Sequence, residues 1–160
     1  MENKQSSGSA QSRQKFTIFS EDFKEGGSIP VEFTCDGKNI SPSLKWEGIP
    51  EGAKSFALTV KDPDAPNGTF IHWIVINLPA NINGLEKADV LWQDTVQLTN
   101  DFGDNFYGGP CPPSGTHRYV FTLYALNAVE IEAKASNAEE VIKEHLTGET
   151  SLTGLYKRTK

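Results

Sequence analysis

Two short proline-rich segments contain most of the side chains in this chain that could bind a ligand or transfer protons. The first runs from Asp62 to His72 and the second from Gly109 to Tyr119, and together they hold two of the three histidines. Carboxylate, imidazole and phenol groups are typical of binding and acid–base sites. In each segment prolines, which cannot donate a ladder hydrogen bond, precede an apolar run. We therefore expect a polar cluster where strands begin or end.

Three predicted strands must position these side chains. Residues 55–60 alternate, with every second side chain on one apolar face, whereas residues 70–78 and 118–126 are apolar on both faces. Strands that are apolar on both faces are typical of the middle of a layered structure. The pattern therefore predicts a β-rich fold with these strands near its centre.

The remaining chain predicts fewer elements. Residues 31–35 resemble a strand closed by a turn, and residues 137–146 predict the one convincing helix. Residues 93–109 are rich in Asn, Asp, Gly and aromatic residues and predict a long ordered loop. A short last strand is expected over residues 154–158.

The predicted strands bring three polar side chains to one edge of a sheet. Asp62 follows the first of them, and His72 and His117 open the other two. If the first strand is antiparallel to the others, all three groups lie at the same edge. Alternation places His72 on the face of Ile74, and His117 on the face of Tyr119.

A carboxylate beside two imidazoles favours their protonated forms. Such a pocket suits a phosphate, sulfate or carboxylate group. Taken singly, Asp62, His72 and His117 are ordinary turn or structural residues, and Arg118 is expected to form a structural salt bridge. Together with Asp64 the cluster could in principle bind a metal, but the sequence has no dense ligand spacing, and we expect none.

The composition limits the function classes. The chain has 160 residues and a net charge of -6, which argues against a nucleic-acid partner, and it has no apolar run long enough to span a membrane. Residues 1–14 lack the apolar run of a secretory signal and are expected to be a disordered leader or expression remnant. Residues 15–160 are expected to form a single domain of a cytoplasmic protein.

Five segments carry a family resemblance. They are DPDAP at 62–66, HWIVINLP at 72–79, GPCPPSGTHRY at 109–119, TCDGKNISP at 34–42 and GLYKR at 154–158. In this order they resemble the phosphatidylethanolamine-binding proteins, also called Raf kinase inhibitor-like proteins. The last two of these segments, TCDGKNISP and GLYKR, resemble the bacterial and archaeal branch of that family.

The resemblance implies a fold and a pocket. The fold is an all-β Greek-key sandwich of two mainly antiparallel sheets with a few short helices. The ligand-binding residues carried over from the family are Asp62, His72, His117 and Tyr119, with Pro66 and Pro112 shaping the wall. Family members bind phosphate-bearing head groups and commonly act by binding or inhibiting other proteins, including kinases and proteases. Enzymatic turnover is not their usual role, and we expect no cofactor here.

Three functions remain open on the residues alone. The first is a non-enzymatic binding protein, monomeric or homodimeric, whose anion pocket serves a protein partner or a small phosphorylated or carboxylate ligand. The second is a small hydrolase using Asp62 as base and His72 or His117 as acid. The third is a structural interaction protein with a vestigial pocket.

The sequence also gives two local expectations, one for a proline bond and one for the two cysteines. The Ala65–Pro66 bond is expected to be cis, because a tight turn must bring Asp62 and His72 to one site. The resemblance also places Cys35 and Cys111 at the same end of the sandwich, where a disulfide is possible. In a reducing cytoplasm two free thiols are the default expectation.

Overall fold

The computed structural model describes residues 14–159. Of the predicted leader, residues 1–13 therefore lie outside the described part, as does Lys160. Within it the elements are β1 (Thr17–Phe19), a 3-10 helix (Val31–Phe33), β2 (Leu44–Glu47), β3 (Ser55–Asp62), β4 (Phe70–Pro79), β5 (Gly84–Leu85), β6 (Val96–Leu98), β7 (His117–Leu126), α1 (Ala138–Glu144) and β8 (Leu146–Tyr156). No helix in this range is long and apolar enough to cross a membrane.

The strands form two antiparallel sheets. The smaller has the order β1-β2-β5 and the larger the order β6-β4-β3-β7-β8. The main core lies between them, where buried side chains of both sheets interdigitate: Ile18, Leu44, Trp46, Leu85, Phe56, Leu58, Val60, Trp73, Val75, Phe121 and Leu123. The predicted sandwich of two antiparallel sheets is thus confirmed.

A second core explains why the central strands are apolar on both faces. On the outer face of the large sheet, α1 and the chain before it cover a separate buried cluster: Ala57, Ile74, Ile76, Tyr124, Leu126, Ile131, Ala138 and Ile142. The large sheet is therefore buried on both sides, as the continuous apolar runs predict.

Residues 31–35 do not form the expected strand. Val31–Phe33 form a 3-10 helix, and the Thr34 hydroxyl donates to the carbonyl of Val31. Gly37 then passes so close to Val31 that a Cβ atom would lie 2.2 Å from the Val31 oxygen. The chain folds back on itself here, so no extended ladder can form.

The structure also contains strands that the sequence pattern does not reveal. β5 and β6 are only two and three residues long, and β6 lies inside the predicted loop 93–109. Such short strands depend on the neighbour they pair with, which the local sequence does not specify. The strand expected over residues 154–158 is the end of a longer one: β8 begins at Leu146, and its eleven residues pair along the whole of β7.

Candidate functional site

The three predicted strand ends meet at one edge of the large sheet. β3 pairs antiparallel with both β4 and β7, and Asp62 at the end of β3 is opposite Phe70 at the start of β4. His117 is the first residue of β7. The predicted antiparallel arrangement is confirmed, and it brings Asp62, His72 and His117 to the same edge.

A β-bulge decides which way His72 faces. Val60 pairs with Trp73 whereas Lys61 pairs with Ile71, so His72 is an extra residue in β4. The expectation that His72 shares a face with Ile74 is therefore wrong. The bulge turns the imidazole toward the face that also carries Tyr119, as bulges next to functional sites commonly do.

Asp62 is buried and uses both carboxylate oxygens. Oδ2 lies 2.7 Å from His117 Nδ1, and Oδ1 accepts the backbone N–H of Asp64 at 2.8 Å. The side chains of Asp62 and His117 are only 5% and 8% exposed. Since a carboxylate accepts, the Nδ1 proton of His117 points at Asp62, and the pair forms a satisfied buried unit.

Asp64 and Arg118 form a second pair at the surface. Arg118 donates from Nε at 3.0 Å and from Nη2 at 2.8 Å, and its backbone N–H donates at 2.9 Å. These hydrogen bonds from Arg118 lower the pKa of Asp64 to about 2. The predicted structural salt bridge of Arg118 is confirmed, and this bidentate pair holds the start of β7 against the turn after β3.

His72 is buried, and its surroundings favour the neutral form of the imidazole. Its Nδ1 lies 2.8 Å from the carbonyl oxygen of Gly108, so Nδ1 carries the proton. Burial lowers the pKa of His72, more than Gly108 and Asp62 raise it. The expectation that Asp62 keeps this imidazole protonated is therefore wrong for the free protein, because desolvation exceeds the attraction of the carboxylate.

Tyr119 connects the two imidazoles. Its ring centroid lies 5.3 Å from that of His72 and 6.4 Å from that of His117. The side chain is fully buried, and although the Asp62 side chain and the Cys111 backbone lie near its hydroxyl, no hydrogen bond of full geometry joins them within the described residues. Burial, and next the charge of Asp62, raise the pKa of Tyr119, so the phenol is a neutral donor.

These side chains line a cavity of about 540 Å³. Its wall consists of Asp62, Ala65, Pro66, Asn67, Gly68, Thr69, Phe70, His72, Asp101, Phe102, Cys111, Pro113 and Tyr119. Four of the six residues carried over from the family are therefore in the wall. His117 is not in the wall but contacts Asp62, which is. Pro112 is also outside the wall: it is buried, and its neighbours Cys111 and Pro113 line the cavity.

The turn that carries Pro66 has a trans bond, so the expected cis Ala65–Pro66 peptide is wrong. The N–H of Gly68 donates to the carbonyl of Ala65, which makes residues 65–68 a four-residue turn with proline second. A trans proline suits that position, and the bulge at His72 provides the change of direction expected from a cis bond.

Asn100 is a buried residue that organises the loop on one side of the cavity, and sequence analysis did not single it out. Its Nδ2 donates to the carbonyls of His72 and Phe106, at 3.0 and 2.8 Å. Its Oδ1 accepts the backbone N–H groups of Phe102 and Asp104. The Asn- and Gly-rich composition of this loop was the only sequence signal for such a network.

A disulfide fixes the loop on the other side. Cys35 and Cys111 are bonded, with their Cα atoms 5.4 Å apart, where two free thiols were the default expectation. The N–H of Cys35 also donates to the carbonyl of Pro110, and Asn39 accepts the N–H of Gly109. The proline loop therefore rests on the turn formed by residues 34–39.

The described residues offer no group of three or more metal-ligating side chains. Ser114 and Thr116, the hydroxyl residues nearest in sequence to His117, are exposed, and the hydrogen bond of the His117 ring is to Asp62. The cluster therefore has hydrogen-bond donors and a hydrogen-bonded carboxylate, but no hydroxyl or thiol paired with a base.

Comparison with known proteins identifies the family. The model of the phosphatidylethanolamine-binding protein family matches residues 19–157. The chain belongs to this family. A UPF0098 protein of Methanothermobacter thermautotrophicus is 48% identical over 143 residues, covering 85% of this chain and 95% of the relative. A UPF0098 protein of Aquifex aeolicus is 42% identical over 150 residues, covering 88% of each chain.

Two solved structures have the same fold. Escherichia coli YbcL, described as a new member of the mammalian PEBP family, superposes with a TM-score of 0.86 at 34% identity, covering 91% of this chain and 100% of YbcL. The homologue CT736 of Chlamydia trachomatis gives 0.83 at 34% identity, covering 89% and 97%. The resemblance to the bacterial and archaeal members of this family is thereby confirmed.

Proposed function

We propose that this protein is a non-enzymatic binding protein whose cavity takes a phosphate-bearing or carboxylate ligand. The observation that carries the proposal is the convergence of Asp62, His72 and Tyr119 on the wall of one cavity, where the buried Tyr119 hydroxyl makes no hydrogen bond of full geometry within the described residues. A buried polar atom without a partner costs free energy, and a ligand oxygen would satisfy it.

The hydrogen-bond donors of the site, rather than its charges, favour an oxyanion ligand, because the wall also contains the carboxylates of Asp62 and Asp101. Both oxygens of Asp62 already accept hydrogen bonds, which leaves this carboxylate less able to bind a cation. The phenol of Tyr119 and Nε2 of His72, which donates once it is protonated, are the groups that could donate to an anion. The volume of about 540 Å³ is within the usual range for small-molecule sites.

Family membership supports a regulatory role, in which the occupied pocket binds or inhibits a protein partner such as a kinase or protease. The hydrolase alternative has no structural support. It needs a nucleophile or an activated water beside the imidazoles, and the thiol of Cys111 is used in a disulfide.

Calorimetric titration with inorganic phosphate tests the proposal. We expect saturable binding to the wild type and an affinity at least about tenfold lower for Tyr119→Phe, which removes only the donor. Tyr107→Phe is the matched control, because its buried hydroxyl donates to Phe33 and is not in the cavity. Equal affinity of Tyr119→Phe and wild type contradicts the assignment, and steady release of product from phosphoester substrates contradicts the non-enzymatic role.

We also propose a cytoplasmic location, which the redox state of the disulfide tests. Cytoplasmic thiol pools keep most cysteine pairs reduced. We expect thiol trapping in intact cells to label Cys35 and Cys111, whereas a fully oxidised pair indicates an oxidising compartment.

A further inference from the structure

We propose that Asn67 is a site of spontaneous deamidation and that its conversion to a carboxylate lowers the affinity of the cavity for anions. The second half rests on the proposed function. The chain contains two Asn-Gly sequences, Asn67-Gly68 and Asn83-Gly84. The structure gives them opposite environments, and only the first lies in the wall of the cavity.

The backbone at Asn67 is free to reach the geometry that deamidation needs. Asn67 and Gly68 are exposed, and an added Cβ at Gly68 would meet nothing within 4 Å. The N–H of Gly68 makes a single long hydrogen bond of 3.3 Å to Ala65. A bond at this length is weak, so the nitrogen that must attack is available.

The reaction uses only this dipeptide and water. The backbone nitrogen of Gly68 attacks the side-chain Cγ of Asn67, and a new N–C bond closes a five-membered succinimide. The bond from Cγ to the amide nitrogen breaks, and that nitrogen leaves as ammonia with the proton lost from Gly68. Water then opens the ring at either carbonyl, which leaves aspartate or isoaspartate at position 67.

The second Asn-Gly sequence is held by β-structure. Gly84 belongs to β5 and pairs with Lys45 in β2, and the carbonyl of Asn83 accepts the N–H of Trp46 at 3.0 Å. A Cβ at Gly84 would lie 2.6 Å from the oxygen of Leu44, so the backbone has no room to rotate. Asn83 is therefore an internal control with the same chemistry and a fixed conformation.

Conversion at Asn67 changes the charge of the cavity wall. The wall already contains the carboxylates of Asp62 and Asp101, and a third would repel an approaching anion. Isoaspartate would also lengthen the turn that places Pro66. We expect the affinity for phosphate to fall roughly fivefold at low salt and less at high salt.

Peptide mapping by mass spectrometry of the full chain, aged at mildly alkaline pH, tests the modification. We expect the amide-to-acid mass increase to accumulate in the peptide containing Asn67 well before the one containing Asn83. Equal or faster conversion at Asn83, or none at Asn67, overturns the assignment of the site.

Titration with inorganic phosphate tests the charge effect. Asn67→Asp should bind more weakly than both the wild type and Asn67→Gln, a variant that keeps a neutral amide and should resist ageing. Wild-type affinity in Asn67→Asp overturns the coupling. If the wild type binds no phosphate, the proposed function fails together with the coupling, whereas the peptide map still decides the modification.

Discussion

The Nδ1 atom of His117 lies 2.7 Å from Oδ2 of Asp62, although 55 residues separate them in the chain. The pairing of β3 with β7 brings the end of one strand beside the start of the other. Both side chains are buried, so the hydrogen bond is shielded from water and salt. Asp62 therefore positions His117, besides being part of the cavity wall.

Asp62→Asn should destabilise the fold more than Asp64→Asn does. The variant leaves His117 without a charged acceptor in a buried place, and we expect a loss of about 2 kcal/mol in the free energy of unfolding. Asp64→Asn, the matched control, breaks an exposed pair and should cost less than about 1 kcal/mol. Urea unfolding measures both, and the reverse order of the two losses contradicts the buried pair.

Phosphate affinity should fall as pH rises. Burial lowers the pKa of His72, so the free protein carries a neutral imidazole near pH 7. An anion beside Nε2 favours its protonation, and binding must therefore take up a proton between about pH 5 and 8. Calorimetry in buffers of different ionisation enthalpy measures this uptake, with sulfate as the anion because inorganic phosphate itself titrates in this range. His72→Gln should abolish the proton uptake, whereas His145→Gln should not. Equal affinity at about pH 5 and pH 8 contradicts the prediction.

The stability of the free protein should fall in mild acid because of the same imidazole. The unfolded chain protonates His72 near the ordinary pKa of about 6.5, whereas the folded chain does so only at lower pH. The unfolded state therefore binds more protons below that pH, and the free energy of unfolding decreases as pH falls. Unfolding curves without phosphate should show a smaller decrease for His72→Gln; parallel curves contradict the assignment.

Loss of the disulfide should lower both stability and affinity. Cys35 and Cys111 are 76 positions apart, and in the chain-entropy model such a bridge contributes about 4 kcal/mol. We expect Cys35→Ser with Cys111→Ser to lose stability of this order and to bind phosphate more weakly, since Cys111 is in the wall. A reductant should reproduce the loss in wild type and leave the double variant unchanged. An unchanged melting temperature on complete reduction contradicts the prediction.

Asn100→Ala should loosen the cavity. The amide joins the carbonyl of His72 to the loop through four hydrogen bonds, and their loss leaves buried groups unpaired. We expect a cost of about 2 to 3 kcal/mol and weaker phosphate binding. Asn105→Ala, an exposed change in the same loop, is the control. Similar effects of the two variants would show that the loop, not the amide, sets the cost.

Much of the large sheet could be predicted from the sequence. The run that becomes β3 alternates, and the runs that become β4 and β7 are apolar on both faces, patterns typical of strands in the middle of a layered structure. Their order and the turn residues between them also predicted the shared edge, and the motifs predicted the family. The small strands could not be predicted, because two or three residues gain their conformation from the partner they meet.

The sequence by itself determined which residue types reach the cavity: Asp62, His72 and Tyr119 follow from strand ends and motif. Only the tertiary structure decided how they act. The bulge that turns His72, the burial that lowers its pKa, and the unpartnered hydroxyl of Tyr119 all depend on register and on neighbours far away in the chain. Alternation along one strand cannot reveal them, because one extra residue in a strand moves every side chain before it to the opposite face of the sheet.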